Sequence, residues 1–273
     1  MSVSRTICAD RVFPIAKADK IEGMAKGMAV LESFDTQRQR LNATLAAERA
    51  GLTRAAARRH LLTLTHLGYL ETDGSYFWLS AKVLRFSGSY LASARLPRAI
   101  QPTLSRLAAQ TRQSFSVAVL DLDEVVIVGR SGYEWTKSPE GATRVMAYGL
   151  HLGARLPAHA TSTGRVLLAA KTKTQLTQWL KGRTLARLTS HTHIDPKQFR
   201  AVIEQVRAND YCLAQEEHEL DVHALAVPLR DMQGNTVAAL NVVASPQRLT
   251  AQDIQRDLLP LLLDAARELR PLL

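Results

Sequence analysis

Cysteine is almost missing from this 273-residue chain: only Cys8 and Cys212 occur. They are far apart and lack metal-ligand spacing, which excludes a disulfide scaffold and points to a reducing, cytoplasmic setting. Long apolar runs are missing as well. Leu258 to Leu263, broken by Pro260, falls far short of the roughly 20 residues of a membrane helix, so no membrane partner is expected. Arg5, Asp10 and Arg11 near the start interrupt any signal-peptide core. Gly-x-Ser-x-Gly, Walker-type and dinucleotide glycine patterns are absent, as are internal repeats. Neither a cofactor nor a catalytic residue is expected. What is present is 46% hydrophobic and 22% charged residues, the composition of an ordinary globular chain.

The net charge is +10, which permits nucleic-acid binding without requiring it. Its distribution is more informative. Residues 1–96 carry 14 Lys/Arg and 8 Asp/Glu, a net of +6, whereas the much longer remainder has a net of +4. The basic excess is densest at the N-terminal end.

Pro97 marks the best domain boundary. The pattern divides the chain into a flexible arm (1–20), a helical unit (21–80), a linker helix (81–96) and a larger α+β unit (97–273). In the helical unit, Met24, Met28, Leu31 and Phe34 give the apolar stripe of a first helix. A short second helix, about Ala43 to Ala50, stops at Gly51. Thr53 caps a third helix to about Leu67, with Leu61, Leu64 and Leu67 on its inner side. Tyr69–Thr72 and Tyr76–Leu79 around Asp73-Gly74-Ser75 read as a hairpin. Ser80 caps the linker helix, Ala81 to Ala94, which carries Phe86, Tyr90 and Leu91. The larger unit opens with a helix from Ile100 to about Thr111. Strands are expected at Ser116–Leu120, Val125–Gly129, Thr143–Tyr148, Val222–Leu229 and Thr236–Ala244. Helices are expected from Ser162 to Ala170, from Asp195-Pro196 onward with Phe199, Val202, Ile203 and Val206 inside, and from Thr250 onward.

The segment helix–Gly51–helix is a helix-turn-helix pattern with a following wing. Thr53 and the free amides of the first turn suit a phosphate. Arg54 and Arg58 lie four apart and share a face, with Arg59 beside them. Ala55, Ala56 and Ala57 keep the helix slim enough for a major groove. The candidate DNA-contacting residues are therefore Thr53, Arg54, Ala57, Arg58 and Arg59, with Ser75 at the wing tip.

From residue 21 to about 270 the chain resembles an IclR-family transcriptional regulator. The resemblance rests on Ala25-Lys26-Gly27-Met28-Ala29-Val30-Leu31-Glu32-Ser33-Phe34, on Gly51 to Arg59, on Leu67-Gly68-Tyr69-Leu70, on Arg155 to Arg165, and on Ala226-Val227-Pro228-Leu229-Arg230-Asp231 with Gly234. Ile21 to Gly27, Gln215 to Leu220 and Ala239-Leu240-Asn241-Val242 further resemble the Pca and Pob regulators of aromatic-acid catabolism (the β-ketoadipate pathway). Asp221 and His223 depart from that subgroup, which usually has Gly and Arg there.

The resemblance implies a winged helix-turn-helix joined by a linker helix to a GAF-like α+β effector domain. It also implies a double-stranded DNA operator, a small aromatic or dicarboxylic acid effector, a homodimer or tetramer, and contact with RNA polymerase where such a protein activates. It places the effector at the start of the helix near Ser162, where free amides and the positive dipole end favour a carboxylate. Candidate effector residues are Met146, Leu156, Ser162, Thr163, Val222, His223, Ala224, Asn241 and Val243, with Arg130 a further counter-charge. Val222 and Ala224 share one strand face, as do Asn241 and Val243.

The run His191-Thr192-His193-Ile194-Asp195 looks superficially like a hydrolase metal motif, but Pro196 stands where a further histidine would be needed, and no metal site is expected. Glu216, Glu217 and Glu219 read as a solvated loop or pocket rim. The competing function class is an enzyme acting on a small aromatic acid through the GAF-like domain, with the N-terminal unit serving association.

Overall fold

A computed structural model describes residues 15–35, 38–131 and 151–273. The expected strand at Thr143–Tyr148 and the candidate Met146 lie outside them. The chain forms two compact units, Val12–Ser93 and Ala94–Leu273.

In the first unit, helices α1 (Glu22–Glu32), α2 (Ala43–Ala50) and α3 (Arg54–His66) precede a hairpin of β1 (Leu70–Thr72) and β2 (Phe77–Leu79). Local chemistry fixes each boundary. Asn42 Oδ1 accepts the amides of Thr44 and Leu45 at 3.1 and 3.0 Å, capping α2. Gly51 ends that helix at φ +64°, a conformation that disfavours any side chain. Thr53 Oγ1 accepts the amide of Ala56 at 3.3 Å and opens α3. Asp73 Oδ1 takes the amides of Ser75 and Tyr76 and closes the wing. Leu41 pairs with Phe77 through two backbone hydrogen bonds of 3.0 and 2.8 Å, adding a third short segment to the wing.

Val30, Phe34, Leu61, Leu64, Leu70 and Phe77 belong to the core of this unit. The stripe expected for α1 is rotated: Met24 and Met28 are 68% and 50% exposed, and Val30 takes the inward position. Leu67, expected inside, is 48% exposed, because α3 ends at His66 and the chain turns through Gly68 at φ +79°. A 3₁₀ turn (Ala81–Val83) capped by Ser80 leads into α4 (Leu84–Ser93), which has no buried residue.

The second unit is a six-stranded antiparallel sheet between two helical layers. Its strands are β3 (Ser114–Asp121), β4 (Glu124–Ser131), β5 (Arg155–Pro157), β6 (Cys212–Gln215), β7 (His223–Arg230) and β8 (Thr236–Ala244), in the order β5-β4-β3-β8-β7-β6. Helix α5 (Arg95–Thr111) starts earlier than Pro97 suggested. Pro97 sits in its first turn, where an N–H has no helical partner to lose. The last helix comprises α9 (Ala251–Asp253), a π turn (Ile254–Leu258) and α10 (Leu259–Leu269), the π turn falling just before Pro260. Together with α5 it covers one sheet face, over Phe115, Val117, Leu225, Val227, Leu240 and Val242.

Helices α6 (Ser162–Ala169), α7 (Lys173–Leu180) and α8 (Pro196–Asn209) accompany the other face. There the sheet offers small residues, Ala118, Ala226 and Ala239, to Val166, Leu168, Phe199 and Ile203. Three elements, β5, β6 and α7, have no counterpart in the sequence reading. Among the described residues no helix is long and apolar enough to cross a membrane.

Candidate functional site

Arg54, Arg58 and Arg59 are exposed on α3 and form no ion pair among the described residues. Arg49, by contrast, is engaged with Asp35, and Arg40 with Asp73 at 2.8 Å. The hydroxyl of Thr53 accepts from Ala56 and keeps its own proton for an outside acceptor. Ser75 is exposed at the wing tip. Ala57 differs from its sequence reading: it is fully buried in the core, so only Ala55 and Ala56 leave room on the outer surface. At positions i, i+4 and i+5, the three arginines spread positive charge over one sector of α3, a surface suited to a phosphate backbone. The wing adds a feature the sequence did not announce. Arg40 lies over the Trp78 ring at 4.3 Å while paired with Asp73, which ties the chain before α2 to the hairpin.

In the second unit, a pocket enclosing about 650 Å³ of atom-free space, open solvent at its mouth included, lies between the sheet and the start of α6. Its floor is Ser116 and Ala118 of β3, Ala224 of β7, and Asn241 and Val243 of β8. Val125, Ile127 and Leu156 form an apolar end at the β4–β5 edge; Ala214 and the loop residues Glu217, His218 and Glu219 form the opposite end at β6. The roof is Ala160, Thr161, Ser162 and Thr163. The cap of α6 is Thr161, whose Oγ1 accepts the Gly164 amide at 3.2 Å, so Ser162 and Thr163 are its first two residues. The first backbone helical bond runs from the Arg165 amide to the Thr161 carbonyl at 3.1 Å. The amides of Ser162 and Thr163 therefore come before the ladder, at the positive end of the helix.

Two buried polar atoms on this cavity have no protein partner: Ser162 Oγ in the roof and Asn241 Oδ1 in the floor. A buried polar group without a hydrogen bond is costly, and a polar ligand would satisfy both. Of the nine effector candidates, Leu156, Ser162, Thr163, Val222, Ala224, Asn241 and Val243 come together here. His223 does not. It opens β7 between Val222 and Ala224, which face the cavity, and alternates to the opposite face of the sheet. There it is buried, its Nδ1 is unpartnered, and burial lowers its pKa.

The residues that shape the site most were not read from the sequence. Arg165 of α6 is 1% exposed and makes a bidentate pair with Glu217, itself 7% exposed; the Nη1–Oε1 arm is 2.5 Å. Its Nε donates to the His159 carbonyl at 2.9 Å. The hydroxyls of Thr189 and Thr192 donate to the carbonyls of Glu216 and Glu217, both at 2.7 Å. Of the three glutamates read as a solvated loop or pocket rim, Glu217 and Glu219 line the cavity, Glu217 buried and paired and Glu219 exposed at the rim. Asp195 caps α8 through the Gln198 amide at 2.8 Å, and His191 and His193 lie 3.9 and 3.8 Å from Glu216 and Glu217. Among the described residues no group of three potential metal ligands is found.

Two family profiles match the chain: the IclR helix-turn-helix domain over residues 23–74 and the C-terminal region of the bacterial transcriptional regulator IclR over residues 88–270. The Pca operon regulatory protein of Acinetobacter baylyi is 49% identical over 95% of this chain and 91% of its own. The p-hydroxybenzoate hydroxylase transcriptional activator of the same organism is 50% identical over 94% of each chain. Among solved structures, the inducer-binding domain of a PobR double mutant from Acinetobacter, in complex with 3-hydroxybenzoic acid, is 44% identical. It covers 65% of this chain and 98% of its own, with a TM-score of 0.59.

Proposed function

The chain belongs to the IclR family of bacterial transcriptional regulators, and from that premise we propose how it reads DNA and senses its effector. It is a ligand-responsive DNA-binding regulator of an aromatic-acid catabolic operon of the β-ketoadipate type, and not an enzyme. The carrying observation is the half-identity to two Acinetobacter regulators over more than nine-tenths of both chains.

In this reading α3 enters the major groove. Arg54 and Arg58 face bases or phosphates, Arg59 and the Thr53 hydroxyl meet the backbone, and Ser75 touches the flanking strand. A small aromatic acid occupies the cavity, with its carboxylate on the amides of Ser162 and Thr163. Ser162 Oγ, a hydroxyl that lacks a protein partner and can donate to that carboxylate, supports this placement. Leu156, Val222, Ala224 and Val243 enclose the ring. Two copies pair so that two recognition helices meet two half-sites, and RNA polymerase is contacted where the regulator activates.

The test is fluorescence anisotropy on DNA upstream of the neighbouring operon, with and without aromatic acids. Tight binding that weakens with salt, survives competitor DNA and responds to an aromatic acid is expected. Equal affinity for unrelated DNA overturns the reading.

A further inference from the structure

The cavity has two ends of different chemistry, and its charges are unevenly placed. Among the described residues, its lining includes no lysine or arginine. The nearby guanidinium of Arg165 is turned onto Glu217 and the His159 carbonyl. Arg130, on the same sheet face through its register with Ser116, does not line the cavity. The β6 end presents Glu217, already neutralised by Arg165, then His218, then Glu219 at the rim. His218 is half-buried and forms no ion pair among the described residues, unlike His191 and His193. Burial, with His159 nearby, lowers its pKa and so favours the neutral imidazole. A neutral imidazole offers one donor and one acceptor.

From Val243 on β8 through Ala224 on β7 to Ala214 on β6 is two inter-strand steps of about 4.8 Å each, enough to span a benzene ring with its substituents. The spacing is held rigid. Arg165, in the first turn of the helix that offers its amides, grips Glu217, the residue before His218. Thr189 and Thr192 hold the carbonyls of Glu216 and Glu217, the two residues before His218.

Taking the cavity as the effector site proposed above, we infer that His218 is the specificity-determining residue for the effector's second polar group. That group is a neutral hydroxyl, so the effector is a hydroxylated aromatic monocarboxylate and not a dicarboxylate. A first carboxylate is met by the α6 amides. A second would be carried towards Glu219 with no cation among the described lining residues to receive it, and an uncompensated charge in a partly buried site is expensive. A phenolic hydroxyl instead donates to, or accepts from, the His218 ring. A site built to bond a hydroxyl discriminates against the analogue lacking it, because the site's own polar group is then left unpaired.

Calorimetric titration of the full chain with 4-hydroxybenzoate, benzoate and β-ketoadipate tests this in wild type, His218→Leu, His218→Gln and Ser162→Leu. The wild type should bind 4-hydroxybenzoate about tenfold more tightly than benzoate, the worth of one hydrogen bond, and β-ketoadipate more weakly than either. In His218→Leu the two aromatic acids should bind alike, and His218→Gln should restore part of the preference. A tenfold preference that persists in His218→Leu overturns the assignment of His218. Tight β-ketoadipate binding to wild type overturns the monocarboxylate class. Undiminished binding of all three ligands to Ser162→Leu, or no binding to wild type, instead overturns the cavity as the effector site.

Discussion

Gly164 shows how closely the backbone is packed at the cavity roof. A Cβ built there would sit 2.1 Å from the Ala158 carbonyl oxygen, which is backbone and cannot swing aside. Gly164→Ala should therefore push the 158–160 turn away from α6. We expect it to destabilise the unit by about 2–4 kcal/mol, within the range of severe core changes, and to lower the urea midpoint. A wild-type midpoint would mean the close approach is not obligatory. The Arg165–Glu217 pair makes a second residue-scale prediction. Removing either partner leaves a buried charge uncompensated, at a cost of about 3–5 kcal/mol, whereas an apolar pair of similar volume loses less. Glu217→Leu should be more destabilising than Arg165→Met/Glu217→Leu in urea unfolding. Simple additivity of the two single losses would show that the pair is not coupled. A third site is Leu122, which occupies the β3–β4 turn at φ +59° and is 53% exposed. Leu122→Gly removes a side chain that resists this conformation and should raise stability by up to about 1 kcal/mol.

At the scale of elements, α2, its turn and α3 form the part most legible in the sequence. Their boundaries rest on contacts within a few residues: the Asn42 cap, the left-handed Gly51 and the Thr53 cap. Thr53→Ala should cost about 1 kcal/mol of stability. Arg54→Ala and Arg58→Ala should leave stability unchanged. They should weaken operator binding by about 1–3 kcal/mol where a guanine is read, or flatten the salt slope where a phosphate is met. Anisotropy across a salt series separates the two, and unchanged binding in both variants would move the recognition face elsewhere. Less legible were the elements and contacts defined by distance in sequence. The four-residue β6 has too short a pattern to declare itself, and its identity comes from pairing with β7. Helix α7 does carry a local signal, the Thr172–Gln175 capping box, but its apolar face is only Leu176, Trp179 and Leu180. Ala57 was misplaced because an alanine suits a groove and a tight core equally well. Arg165 and Glu217 are 52 positions apart, and no spacing rule links them.

At the scale of the whole molecule, α1 and α4 leave an unusual amount of apolar surface in water. Ile21, Met24, Leu84 and Phe86 are each more than 60% exposed, although Phe86 stacks on Tyr69 at 5.7 Å. Exposed apolar side chains in this number are surface that association would cover, and a single winged helix offers little area for tight, specific DNA binding. Light scattering should find a dimer or tetramer at micromolar concentration, and Leu84→Glu/Phe86→Glu should shift it towards monomer; a wild-type monomer with and without DNA would refute the assembly. The alanines beneath α6 carry a different consequence. Ala118, Ala214 and Ala224 keep the cavity roomy from below, and the core of the DNA-reading unit is a separate cluster. Enlarging one of these alanines reshapes the chamber without touching α3. Such a protein can acquire a new chemical vocabulary while keeping its genomic address, so the operon it governs can be placed under a different metabolite by one or two codon changes.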